Sequence, residues 1–311
     1  MFSEQSITDR LRSRTRFPAG SPVITGIGDD CAIYRPRGSA DDLLFTSDLS
    51  IEGVHFTRDT HKPADVAYIA VARSISDIAA MGGSPRFTLA SLSLSAADAL
   101  PTPFFDALAR FAQDFGAPLA GGDLARSDRT FCDITICGAV PRGMALLRNG
   151  ARAGHEIYVS GLLGGSALGL EARNGKSRNS KAWKRHIHPE PRLELGEFLR
   201  TRLRATSCMD LSDGLSLDLQ RICLASGVAA EIADPPRFPG ASIEQSLHGG
   251  EDYELLFTVR PGTRVPARLN GLPLTRIGTI VEGSPGEVRW NGQRLDPLGY
   301  DHFRHDHFAR R

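Results

Sequence analysis

The run Leu43-Leu44-Phe45-Thr46-Ser47-Asp48 constrains this chain more than any other stretch. Three apolar residues followed at once by two hydroxyls and a carboxylate read as a buried strand. Such a strand carries oxygen ligands to its C-terminal end, where α/β proteins commonly place their chemistry. Beyond it, Glu52-Gly53-Val54-His55-Phe56 permits a sharp turn at the glycine and brings in a histidine. Taken singly, the segment also fits a plain strand, an aspartate that stabilises a turn and a surface histidine. Repetition favours a site. Acids in glycine-rich or element-ending contexts recur as Gly28-Asp29-Asp30, Ser76-Asp77, Gly121-Gly122-Asp123, Asp210-Leu211-Ser212-Asp213 and Gly249-Gly250-Glu251-Asp252.

Strands and helices alternate around these acids. Pro22 to Thr25 and the residues up to Ile33 read as strands about a tight glycine turn, without the third glycine or the helix of a dinucleotide fingerprint. The apolar spacing predicts a helix from Pro63 to Met81, stopped by Gly82-Gly83. Asp77 then falls in its last turn, where the helix dipole disfavours a carboxylate by about 0.3–1 kcal/mol. Function explains it there; so does an ion pair with Arg73, one turn back. Strands follow at 87–94, 117–120 and 131–140, with a helix over 103–115. A fresh strand at 156–160 leads into a second glycine loop, which places a domain boundary near Arg148. At 311 residues the chain is long for a single core, and we divide it into 1–148 and 149–311.

In the second half, the basic, acid-free segment 173–189 reads as a solvated loop in preference to an anion-binding lid, and a helix starts at Pro189-Glu190-Pro191. Asp210-Leu211-Ser212-Asp213-Gly214 opens another helix, with Ser212 or Asp213 as its N-cap. A strand spans 253–259, another 275–281, and the histidine-rich tail 299–308 reads as an exposed terminus. The formal net charge of +1 supplies no field for nucleic acid or an anionic membrane. No apolar run is long enough to span a bilayer. Five cysteines without a Cys-x-x-Cys pair suit a reducing cytosol better than a disulfide framework. The expectation is a soluble, cytoplasmic protein.

Carboxylates gathered in one cleft repel one another unless cations neutralise them, and the motif segments hold almost no lysine. Oxygen ligands without histidine or cysteine suit Mg²⁺, which keeps waters and commonly bridges carboxylates to substrate phosphates.

The ordered set Gly26–Ala32, Thr46–Phe56, Ser76–Gly82, Gly121–Asp123, Leu146–Gly154, Asp210–Gly214, Gly249–Glu254 and Gly299–Phe303 resembles the thiamine-monophosphate kinase family over nearly the whole chain. That resemblance implies a two-domain α/β fold, mixed α+β in its sheets, shared with aminoimidazole ribonucleotide synthetase. Its N-terminal domain would bind ATP and Mg²⁺ and pair in a homodimer, and its C-terminal domain would complete the nucleotide and substrate site. The implied activity transfers the γ-phosphoryl of ATP to thiamine monophosphate, giving thiamine diphosphate.

By position, the resemblance makes Asp30, Thr46, Ser47, Asp48, Asp77, Asp123, Asp210 and Asp213 ligands of several Mg²⁺ ions. It gives Gly122, Asp123, Arg148 and Ser212 to ATP, and His55, Glu251 and Tyr300 to the thiamine phosphate. Asp48, Asp77, Asp123 and Arg148 would act on the transferring group. The chain departs from the family pattern at Ser74, at Leu124-Ala125 and at His155. Rival readings are another ATP-dependent synthetase of the superfamily and a non-catalytic nucleotide-binding regulator. A selenophosphate synthetase would need a reactive cysteine before Cys31. A hydrogenase-maturation type would end in cysteine, where this chain has Arg310-Arg311.

Overall fold

A computed structural model of the chain describes residues 3–96, 100–172 and 180–303. After helix α1 (Glu4–Arg14) come strands β1 (Val23–Thr25), β2 (Ala32–Tyr34) and β3 (Asp41–Ile51), then helix α2 (Pro63–Ala80). Strand β4 (Ser84–Leu94), helix α3 (Thr102–Asp114) and strands β5 (Leu119–Arg126) and β6 (Phe131–Pro141) complete a six-stranded sheet. Its order is β1-β2-β3-β6-β4-β5, antiparallel except for β4 beside β5.

Strand period decides what faces where. Leu44, Thr46, Asp48 and Ser50 point to the face covered by α2, while Phe45, Ser47 and Leu49 point away. The strand therefore does not end at Asp48 as the sequence suggested; it runs on to Ile51, with Thr46, Ser47 and Asp48 at mid-strand. Gly121, Gly122 and Asp123 likewise lie inside β5 rather than after it. At Gly122 the backbone has φ 151°, and a Cβ would sit 1.8 Å from the Ala90 carbonyl oxygen, so no side chain fits there.

The second half places β7 (Glu156–Ser160), α4 (Gly165–Glu171), α5 (Lys181–Ile187) and α6 (Leu193–Phe198), the last continued by a π turn over Leu199–Leu203. Then follow β8 (Ser207–Asp210), α7 (Leu215–Ser226), β9 (Ala229–Ile232), α8 (Ile243–His248) and β10 (Leu255–Val259). Strands β11 (Arg268–Leu269), β12 (Leu272–Val281), β13 (Val288–Trp290) and β14 (Gln293–Arg294) close the second sheet, ordered β14-β13-β9-β12-β7-β10-β8 with β11 on β12.

Part of the basic segment read as a solvated loop is the helix α5. Ser180 caps it by accepting from the Trp183 N–H, and Trp183 and His186 are buried on it. Its Arg185 pairs with Glu254, as does Arg192 at 2.6 Å. Residues 173–179, and the tail beyond 303, lie outside the described residues. Glu254 is 1 % exposed and also accepts from Ser160 Oγ at 2.5 Å. Glu254→Ala would strand two largely buried guanidinium groups. A loss of about 3–5 kcal/mol is expected, read as a lower thermal midpoint.

One apolar core lies between the first sheet and its helices, and a second between the other sheet and α7. A third core joins the halves: Ala80 of α2 packs with Leu146, Leu195, Leu199, Cys208 and Phe257. Gly196 of α6 lies so close to α2 that a Cβ would stand 2.0 Å from the Ala79 carbonyl oxygen. Through this core, which holds both Ala80 and Cys208, the end of α2 lies against β8. That packing is what brings acids 133 residues apart, Asp77 and Asp210, to one point. Among the described residues no helix is long and apolar enough to cross a membrane.

Candidate active site

Three carboxylates converge where the halves meet. Asp30 comes from the glycine turn before β2, Asp77 from the last turn of α2 and Asp210 from the end of β8. One oxygen of each lies within 4.8 Å of the others. Thr46 reaches the group from β3, its hydroxyl donating to Asp77 Oδ2. Ser76, the neighbour of Asp77, donates to Asp210 Oδ2 at 2.6 Å. Arg148 closes the cluster from the linker, donating from Nη2 to Asp30 Oδ1 at 2.6 Å and from its backbone N–H to Asp29 at 3.2 Å.

Electrostatics in this cluster are adverse. Burial first, then the charges of Asp48, Asp210 and Asp30, push the Asp77 carboxyl far above the ordinary carboxylate range. Burial and Asp30 do the same to Asp210. Asp29 is pushed up to about 7, by burial and then by Asp30. Asp30 Oδ2 and Asp48 Oδ2 are buried and accept no hydrogen bond. Buried, unsatisfied acceptors of this kind cost about 1–3 kcal/mol each, more when charged. An all-oxygen set with open acceptors and excess negative charge fits a hard divalent cation.

Beside this cluster lies a second group. His55 Nδ1 accepts the Ile51 N–H at 3.0 Å, which leaves the ring proton on Nε2. Burial, then Arg73, lower its pKa to about 3, so it is neutral at pH 7. His55 packs at 5.2 Å against the His302 ring, which meets Tyr300 at 4.8 Å. The Tyr300 N–H donates to the Asp213 carbonyl at 2.9 Å. Glu251 has φ 64° and its N–H donates to the Ser212 carbonyl at 2.7 Å, a left-handed conformation held by that bond.

Other expected residues fall differently. Neither Ser212 nor Asp213 caps α7. The cap is Gly214, and Asp218, from inside the helix, accepts the N–H groups of Asp213 and Gly214 at 3.1 and 3.0 Å. The Asp213 carboxylate is held by Arg221 at 2.5 Å, at the rim of the cleft. Ser47 lies on the opposite face of the first sheet, donating to Asp133 at 2.7 Å. Asp123 is on the same face as Asp133, exposed on the edge strand with Gly122. Within one chain, neither Ser47 nor Asp123 meets the buried cluster.

The sequence reading passed over Ser76, Asp29 and Arg73 as site residues. Arg73 does not pair with Asp77. Its Nε and Nη1 atoms are buried without a hydrogen-bond partner. Burial opposes its charge, and Tyr253, Glu251, Asp48 and Asp213 restore it.

Two family models match the chain: the N-terminal domain of AIR synthase related proteins over residues 28–140, and their C-terminal domain over 152–291. The thiamine-monophosphate kinase of Salmonella typhimurium is 36% identical over 320 residues, covering 95% of each chain. That of Bacillus subtilis is 32% identical, over 91% of this chain and 95% of its own. A solved structure of AaThiL complexed with AMPPCP and TMP superposes with a TM-score of 0.84 at 30% identity, covering 97% of both chains. With similarity of that extent at both levels, the chain belongs to the thiamine-monophosphate kinase family of AIR synthase related proteins.

Proposed function

We propose that this enzyme transfers the γ-phosphoryl group of ATP directly to thiamine monophosphate, in line and with several Mg²⁺ ions, to give thiamine diphosphate. The observation that carries the reading is the meeting of Asp30, Asp77 and Asp210 from both halves of the chain in one buried point. A nucleotide triphosphate and a phosphomonoester bring about six negative charges together. At about 4 Å and an effective dielectric near 20, each unit pair repels by roughly 4 kcal/mol. Asp30, Asp77 and Asp210, with Thr46 and Asp48, would hold the Mg²⁺, which supplies charge neutralisation and a template for both phosphates.

The acceptor phosphate is largely ionised at pH 7, its second pKa being near 6, so no general base is needed. The chain's residues position and screen. Arg148, anchored on Asp30, directs its guanidinium to the transferring group. Beside it, a cavity of about 310 Å³ is lined by Phe17, Ile24 and Ile27 together with Arg12, Asp29 and Asn149, room for the nucleobase with apolar walls and polar groups. Ser212, whose carbonyl accepts the Glu251 N–H, would contact the nucleotide from beside the thiamine side. His55, Glu251 and Tyr300 form the thiamine side, where a neutral histidine and a carboxylate suit a cationic heterocycle.

We further assign the open face of the first sheet to a second copy of the chain. Phe45, Leu49 and Leu89 are 36%, 44% and 38% exposed there. Ser47, Gly122 and Asp123 share or border that face, so they would join a metal or nucleotide across such a dimer. Five buried free cysteines accord with a cytoplasmic enzyme.

The deciding experiment mixes the protein with ATP and Mg²⁺, with and without thiamine monophosphate. ADP release is expected only with the acceptor present, together with thiamine diphosphate as the identified product. ADP formation indifferent to the acceptor, or none at all, overturns the reading.

A further inference from the structure

Arg73 is a cation in a cleft built mainly of acids. It sits on α2 one turn before Asp77 and acts electrostatically on both halves of the site: Asp48 on the metal side, and His55 and Glu251 on the other. Those acids attract it, yet none accepts a hydrogen bond from its buried Nε or Nη1. A guanidinium cannot shed its proton, so these N–H groups are permanent donors. Buried donors without acceptors are costly, and the cost is recovered when an anion accepts from them. Mere neutralisation of the neighbouring acids would be better served by contact with them.

We infer that Arg73 anchors the phosphate of the acceptor substrate and thereby selects the phosphorylated form of thiamine over thiamine itself. This rests on the thiamine monophosphate reading of the site. Asp48 acts on Arg73 from the metal side and Glu251 and His55 from the other, so a phosphate held by Arg73 would lie between the metals and the thiamine side. There the heterocycle lies toward Glu251 while the phosphate reaches toward the metals. Thiamine without its phosphate presents a cationic thiazolium and, where the phosphate would be, a neutral hydroxyl, which offers the guanidinium one weak acceptor and no charge to pair with. The phosphomonoester offers three acceptor oxygens to the same donors. Arg73 thus converts a pocket attractive to cations into one that demands a dianion on the ligand.

Three ligands test this by titration calorimetry in Mg²⁺ buffer: thiamine monophosphate, thiamine and inorganic phosphate, each against wild type, Arg73→Met and Arg73→Lys. Arg73→Met is expected to weaken thiamine monophosphate by roughly 10- to 100-fold, the scale of losing charge-assisted hydrogen bonds. Thiamine affinity should stay level or rise, and inorganic phosphate binding should be lost. Arg73→Lys, which keeps the charge and loses the planar donors, should fall between. In turnover, KM for thiamine monophosphate rises while KM for ATP stays within about twofold. An Arg73→Met protein of normal thermal midpoint that still prefers thiamine monophosphate over thiamine by the wild-type ratio overturns the assignment; so does equal weakening of both ligands. If wild type binds phosphate through Arg73 but ignores thiamine monophosphate, the anion anchor stands and the acceptor reading falls.

Discussion

Asp77→Asn is expected to lower kcat by about 10²–10³-fold, the scale of removing one preorganised electrostatic group, while leaving the fold intact or more stable. The two halves of that expectation have one origin. Asp77 is held in the last turn of α2, buried and repelled by Asp48, Asp210 and Asp30. Removing its charge relieves repulsion in the metal-free protein, and asparagine keeps an oxygen to accept from Thr46. What would be lost is a full negative charge toward the cation proposed at this site. Stability traded against activity is characteristic of a site built for a ligand rather than for the fold. Asp48→Asn should behave alike, since Asp48 Oδ2 is buried with nothing donating to it. The assay is steady-state turnover beside a thermal melt without Mg²⁺. Near-normal turnover in both variants would remove the metal cluster from the mechanism. A large loss of stability would make these acids structural.

Much of this cluster was readable from the chain because each acid stands in a short, unusual context. Asp77 lies at the wrong end of a helix dipole, Asp30 follows a glycine turn and Asp210 ends an apolar strand. What could not be read depends on partners remote in sequence. Thr46, Ser47 and Asp48 look equivalent as a string. Only the continuation of β3 to Ile51, imposed by pairing with β6 along its length, turns Ser47 to the opposite face.

Arg73 looked like an i−4 partner for Asp77, the commonest fate of such a pair. The burial of α2 between two halves of the molecule denies it that contact. Ser212 and Asp213 carried an ordinary capping signature, but Asp218 satisfies the start of α7 from within the helix. The helix α5 escaped because seven residues carry too little periodicity. Its stability comes from Trp183 and His186 packing inward and from Arg185 reaching Glu254.

Chelation of Mg²⁺ is expected to lower activity by at least about 10³-fold, the metal's several kcal/mol of charge stabilisation being lost at once, with full recovery on readdition. The same step has a pH signature whose sign follows from the raised carboxyls. A carboxyl whose pKa is higher folded than unfolded holds more protons in the folded state between the two values. Its contribution to stability therefore falls as pH rises through that window. Asp29 moves from 3.8 to about 7, and Asp77 and Asp210 move well upward. For Asp29 that loss runs between these two values, and Asp77 and Asp210 act in the same direction.

Mg²⁺ competes with the same protons, so it binds more tightly and releases fewer protons as pH rises from about 6 to 8. The increase in thermal midpoint on adding Mg²⁺ should accordingly be larger at pH 8 than at pH 6. His55 and His61, lowered to about 3 and about 4, favour the folded state as pH rises through the ordinary histidine range. They act with and without metal, so they cancel in the difference. A Mg²⁺-induced shift that is equal at both pH values, with no proton release at pH 6, would mean that the cation does not sit on Asp30, Asp77 and Asp210. The acids would then be a buried proton-sharing group, and the phosphates would have to be neutralised by Arg73 and Arg148 alone.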